Sequence, residues 1–155
     1  MKHALTFTLL ISLVCLSTSV SLSQDDATDL IDKFISKQAT KEGGEEYKDA
    51  RKVIAGDLNN DGAPDLAVLY TIEGQNGTNN YVQYLAVFVR LKGRLVPVTH
   101  TKVGGKLYRS VELQSISKNV ILLTTLSYTA KDAACCPSKK GEARYELVDG
   151  RLKQL

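Results

Sequence analysis

The chain has 155 residues, of which 43% are hydrophobic and 24% charged, with a formal net charge of +3. That is enough for one domain with a real core. The near-neutral balance, with no dense basic run, argues against a nucleic-acid partner.

Residues 1–23 read as a secretory signal peptide. Lys2 and His3 make a short basic start, Ala4 to Leu16 is apolar, and Ser17 to Ser23 is rich in small residues. Cleavage after Ser21 or Ser23 fits the small-x-small rule. The apolar stretch falls short of the about 20 residues a membrane span needs. A membrane anchor and lipid attachment at Cys15 are the competing readings; Val14 stands where a lipoprotein signal wants a small residue. The expectation is a secreted or periplasmic protein whose mature part, 24–155, is a single domain with no transmembrane segment after cleavage.

Asp25 to Ala39 has helical periodicity. Ala27, Leu30, Ile31, Phe34, Ile35 and Gln38 recur at i, i+3, i+4 spacing, and all but Gln38 are apolar, which gives a stripe to face a sheet. Asp25 or Asp26 can cap the helix. Lys41 to Asp49 is charged and glycine-containing and reads as a linker or loop.

From Arg51 onward the pattern is β. Expected strands are Lys52 to Asp57, Leu66 to Ile72, Tyr81 to Leu91, Leu95 to Val103, Leu107 to Ser117, Val120 to Thr129 and Ala143 to Val148, with a short last one at Leu152 to Leu155. Lys92-Gly93, Gly104-Gly105, Lys118-Asn119 and Asp149-Gly150 supply turns, and short turns imply antiparallel neighbours. Tyr81 to Val89 is apolar on both faces and should be central. The expected fold is α+β: an N-terminal helix packed on a curved antiparallel β-meander of about seven strands.

Between the first two strands lies Asp57-Leu58-Asn59-Asn60-Asp61-Gly62-Ala63-Pro64-Asp65. Side-chain oxygens stand at positions 1, 3, 5 and 9 of this loop, and Gly62 at position 6 permits a sharp turn. Ca²⁺ takes six to eight hard oxygen ligands. Asp57, Asn59, Asp61 and Asp65 can offer side chains and Ala63 its backbone carbonyl. Position 12 is Val68 rather than Glu, which rejects an EF-hand. The competing reading is a plain hairpin turn, which needs no acids at positions 1 and 9. Three carboxylates in nine residues also repel unless a cation or solvent screens them.

With apolar runs on both sides, residues 53–69 resemble the FG-GAP-type calcium loop of integrin-like and VCBS-like β-propeller blades: a hydrophobic run, Gly-Asp, Asn two residues on, Asp-Gly, then Asp-Leu. The resemblance implies Ca²⁺ ligation at Asp57, Asn59, Asp61 and Asp65. A propeller repeats its blade every 40 or so residues, and this chain has one such loop and no internal repeat. The rest of the chain resembles an exported bacterial protein.

Cys135 and Cys136 are the only cysteines after residue 23. In an oxidising compartment they can pair with each other; the alternatives are free or intermolecularly bonded thiols and a redox or soft-metal site. A Cys-x-x-Cys motif is absent. Gly104-Gly105-Lys106 with Arg109 allows an anion cradle, though a β-turn explains it as well. Asn76-Gly77-Thr78 is a glycosylation sequon. No Gly-x-Ser-x-Gly elbow or His-Glu-x-x-His motif occurs, and His100 is the one histidine after residue 23, so no catalytic site is evident.

Charge divides along the chain: Gln24 to Tyr81 holds 6 basic and 12 acidic residues, Val82 to Leu155 holds 13 and 5. The leading expectation is a calcium-binding structural or interaction module meeting a protein or glycan partner. A thiol/disulfide redox or enzymatic role for the vicinal cysteines is the first alternative, and an inhibitor of an extracytoplasmic hydrolase the second.

Overall fold

The computed structural model describes residues Gln24–Leu155. The signal-peptide reading of residues 1–23 lies outside them. Helix α1 spans Gln24–Glu42. Nine strands follow: β1 (Glu45–Glu46), β2 (Lys52–Gly56), β3 (Asp65–Glu73), β4 (Tyr81–Leu91), β5 (Arg94–Gly105), β6 (Arg109–Ser117), β7 (Val120–Ser127), β8 (Lys139–Val148) and β9 (Arg151–Gln154). All form one open antiparallel sheet in the order β1-β3-β4-β5-β6-β7-β8-β9, with β2 also paired to β3. The α+β class holds, with nine strands rather than about seven.

Two local expectations need correction. The helix is longer than Asp25 to Ala39, running on to Glu42. The segment Lys41 to Asp49 is not a plain linker: Glu45 and Glu46 pair with Glu73 and Ile72, and a 3-10 turn at Lys48–Ala50 leads into β2 on the same edge of β3. Together β1 and β2 are one edge strand broken by the turn. Arg51 holds the break: its guanidinium donates to both Glu46 carboxylate oxygens at 2.7 and 2.6 Å and contacts Asp32 of α1 at 2.5 Å.

The sheet folds over at the β5–β6 junction, where Gly105 and Arg109 are the only paired residues. Two bulges on β5, at Val98 and Val103, prepare this curl by adding residues opposite β4. From there β6 comes against β2. At its start, Gln83 of β4 takes the place of a strand backbone: its side-chain oxygen accepts the Val111 N–H at 2.9 Å and its amide donates to the Val111 carbonyl at 3.1 Å. At its end Ile116 packs on Gly56, where a Cβ would stand only 2.7 Å from the isoleucine side chain.

The two halves enclose the first core, which includes Leu58, Leu69, Leu85, Val87, Leu113, Ile121, Leu123 and Tyr145. The opposite face of β3 and β4 is covered by α1, whose Ile31, Ile35 and Ala39 meet Val68, Tyr70, Ile72, Ala86 and Phe88. The period-2 alternation of β4 thus feeds both cores, and the strand is central as expected.

Strand direction sorts the loops to two ends. The 57–65 loop and the turns at 92–93, 118–119 and 149–150 lie at one end. The α1–β1 connection, the 74–80 loop, the 106–108 turn and the 128–138 loop lie at the other.

Candidate functional site

The 57–65 loop joins β2 to β3 at the first end. Asn60 (φ 64°) and Gly62 (φ 80°) take left-handed conformations, which Asn and Gly tolerate best. These two residues turn successive N–H groups toward the acids. Asp57 Oδ1 accepts from Asn60 N at 2.7 Å and from Asn59 N at 3.2 Å, while Oδ2 accepts from Gly62 N at 2.9 Å. Asn59 Oδ1 accepts from Asp61 N, and Asp61 Oδ1 from Ala63 N at 2.8 Å. Desolvation pushes the Asp57 carboxyl upward, but the N–H groups of Gly62, Asn60, Asn59 and Asp61 together outweigh it and hold the group below its ordinary value.

Asp65 differs from the other two acids. Its side chain is fully buried, and its oxygens accept from Leu58 N at 3.0 Å and Arg90 N at 2.8 Å. Leu58, also buried, plugs the end of the first core beneath the loop. Asp65 therefore pins the loop to β4, while Asn59 and Asp61 are exposed and Asp57 is half-buried. Among the described residues, no group of three or more His, Cys, Asp or Glu side chains is disposed around a common metal position. The side-chain oxygens on this loop are those of Asp57, Asn59 and Asp61, with Asp65 below. The acids at positions 1, 5 and 9, which sequence reasoning left to be screened by a cation or solvent, are here satisfied by N–H donors.

At the opposite end, Cys135 and Cys136 form a disulfide on an exposed loop. The loop is tied independently of the sulfurs. Asp132 accepts from Thr129 N, Ser138 N and Ser138 Oγ at 2.8 to 3.0 Å, and Tyr128 Oη donates to the Ala134 carbonyl at 2.8 Å. The backbone N–H of Thr129, with the Ser138 hydroxyl, keeps the Asp132 carboxyl below its ordinary value.

Gly104 and Gly105 end strand β5, and residues 106–108 form the turn that follows. Its N–H groups are engaged: Lys106 N donates to Tyr81 O and Tyr108 N to Gly105 O. The Lys106 ammonium bonds Asn79, and Arg109 donates to Val103 O and to Tyr145 Oη.

Sequence reasoning did not foresee a mixed aromatic cluster under α1. His100 Nδ1 and Tyr70 Oη share a hydrogen bond of 2.8 Å, with Phe34 and Tyr84 packed around them. Burial lowers the imidazole's affinity for a proton, and burial raises the Tyr84 phenol to about 12 and the Tyr70 phenol further. The four rings come from four separate elements, so no sequence spacing could have grouped them. A cleft of about 570 Å³ lies elsewhere, between the α1–β1 connection and the 74–80 loop, and its lining includes Glu45, Glu73, Asn79 and Tyr81.

Comparison with known proteins finds no matching family model, no similar curated protein and no similar solved structure. Among the described residues, no helix is long and apolar enough to cross a membrane.

Proposed function

We propose that this chain is a calcium-binding structural or interaction module of a secreted or periplasmic protein. The observation that carries the reading is the 57–65 loop: hard oxygen donors on an exposed loop, preorganised by backbone N–H groups. Asp57, Asn59, Asp61 and the Ala63 carbonyl would hold the ion. Asp65 keeps a further lone pair on each oxygen, so it can join without giving up its two N–H bonds. Carboxylates that ligate a metal are themselves hydrogen-bonded by an outer shell, which is the arrangement around Asp57 and Asp61.

Bound Ca²⁺ would supply charge neutralisation at the β2–β3 junction and stiffen both strands. A loop with so few carboxylates belongs to the weak extracellular regime, about 10⁻⁴ to 10⁻³ M. At ten times the dissociation constant, binding adds about 1.4 kcal/mol to folding stability. Thermal melts with and without Ca²⁺ test this. The wild type should gain a few degrees and Asp61→Ala should gain nothing; equal curves for the wild type in 10 mM Ca²⁺ and in chelator would refute it.

The vicinal disulfide favours a second reading, thiol/disulfide exchange at Cys135 and Cys136. Both sulfurs belong to exposed residues, and the Asp132 tethers do not pass through them. Cys135→Ser with Cys136→Ser separates the two readings: calcium stabilisation survives under the first, and an oxidoreductase activity disappears under the second.

A further inference from the structure

At the end opposite the calcium loop, two neighbouring loops share one design. The β5–β6 turn presents Leu107 and Tyr108, 65% and 48% exposed. Lys102 and Arg109 lie over the Tyr108 ring, 6.0 and 5.0 Å from its centroid. The β7–β8 loop presents Ala133, Ala134, Cys135 and Cys136, all exposed, between Lys131 and the Lys139-Lys140 pair. Pairing of Arg109 with Ser127 sets the bases of the two loops side by side. Each is an apolar tip collared by cations.

Leu107 is the informative residue. Its φ is 60°, a left-handed conformation that a leucine adopts only at a cost and that glycine or asparagine would take more readily. Its side chain packs into neither core. The turn closed by Tyr108 N on Gly105 O sets this backbone, yet the position carries a large apolar side chain that packing within the described residues does not use.

We propose that this end docks on the surface of an anionic lipid bilayer. Leu107 and the Ala133–Cys136 tip enter the headgroup boundary, Tyr108 lies at the interface, and Lys102, Lys131, Lys139 and Lys140 meet lipid phosphates. Charge complementarity selects the partner, because the one acid within these loops, Asp132, is committed to internal hydrogen bonds. The negative potential of such a surface attracts nearby lysine and arginine side chains, and tyrosine with its amphipathic ring suits the interface. Glu45 and Glu73 lie across the same end on the β1–β3 side, so the bilayer meets the β5–β8 side. The docking does not depend on the calcium reading.

The chain has no tryptophan, so Leu107→Trp is a single reporter. With phosphatidylglycerol vesicles at low salt, the wild type should co-sediment and the Leu107→Trp emission should shift to the blue. Phosphatidylcholine vesicles, or high salt, should release both. The pair Leu107→Gly with Tyr108→Ser should lower vesicle affinity by about tenfold, while Leu107→Gly alone should not lower the melting temperature. Failure to sediment with phosphatidylglycerol, or sedimentation unchanged in the double variant, overturns the proposal. So does equal binding to polyglutamate without a blue shift, which would mark an acidic protein partner instead.

Discussion

Asp65 and Arg90 are joined side chain to backbone across the β3–β4 pair. Asp65 Oδ1 accepts the Arg90 N–H at 2.8 Å, and Oδ2 takes Leu58 N–H at 3.0 Å. One buried carboxylate thus fixes the loop and the plug residue that closes the first core. Asp65→Ala would strand two N–H donors, at a cost of about 3 kcal/mol. Chemical denaturation in chelator should show that loss in full, because the role is structural whether or not calcium is present.

Gln83 bridges the place where the sheet turns over. Gln83→Leu keeps the volume and leaves the Val111 N–H and carbonyl without partners. A destabilisation of about 2 kcal/mol is expected. Hydrogen exchange should show faster opening at Val111 than in the middle of β4.

Ile35 is fully buried between α1 and the sheet. Ile35→Ala should cost about 3 kcal/mol, measured by urea unfolding, and should loosen the Tyr70–His100 cluster beneath it. The exposed Lys33–Asp29 pair on the same helix should contribute little.

Arg51 gives the acid side of the stability profile. The guanidinium beside Asp32 holds that carboxyl below its ordinary value of 3.8. The unfolded chain therefore binds the proton more readily than the folded one. The stabilisation is complete above the unfolded value and is lost as pH falls through the depressed folded value. Arg51→Met should lower stability at neutral pH by about 2 kcal/mol, through loss of the two bonds to Glu46. It should also flatten the decline below about pH 4 that denaturant titrations of the wild type show.

Much of the fold was legible. The helix stripe from Ala27 to Ile35 found its sheet, and the turns at Lys92-Gly93, Lys118-Asn119 and Asp149-Gly150 sit at positive φ. What escaped lacks an apolar signal. The first four residues of β8, Lys139 to Glu142, are exposed and polar, and β1 has only two residues, both glutamate. The fold-over escaped because it rests on Gln83 and Gly56 meeting Val111 and Ile116, contacts between residues far apart in sequence. Within the loop the acids were legible, but the division of labour was not: burial of Asp65 follows from β4, which the loop sequence does not contain.

Calorimetric titration of residues 24–155 with Ca²⁺, with Asp57→Ala/Asp61→Ala as the control, tests the calcium reading most directly. Saturable binding by the wild type alone, weaker than micromolar, is the predicted result. No binding by a wild-type chain that is folded would contradict it, and would leave the 57–65 segment as a turn whose acids serve only its own backbone.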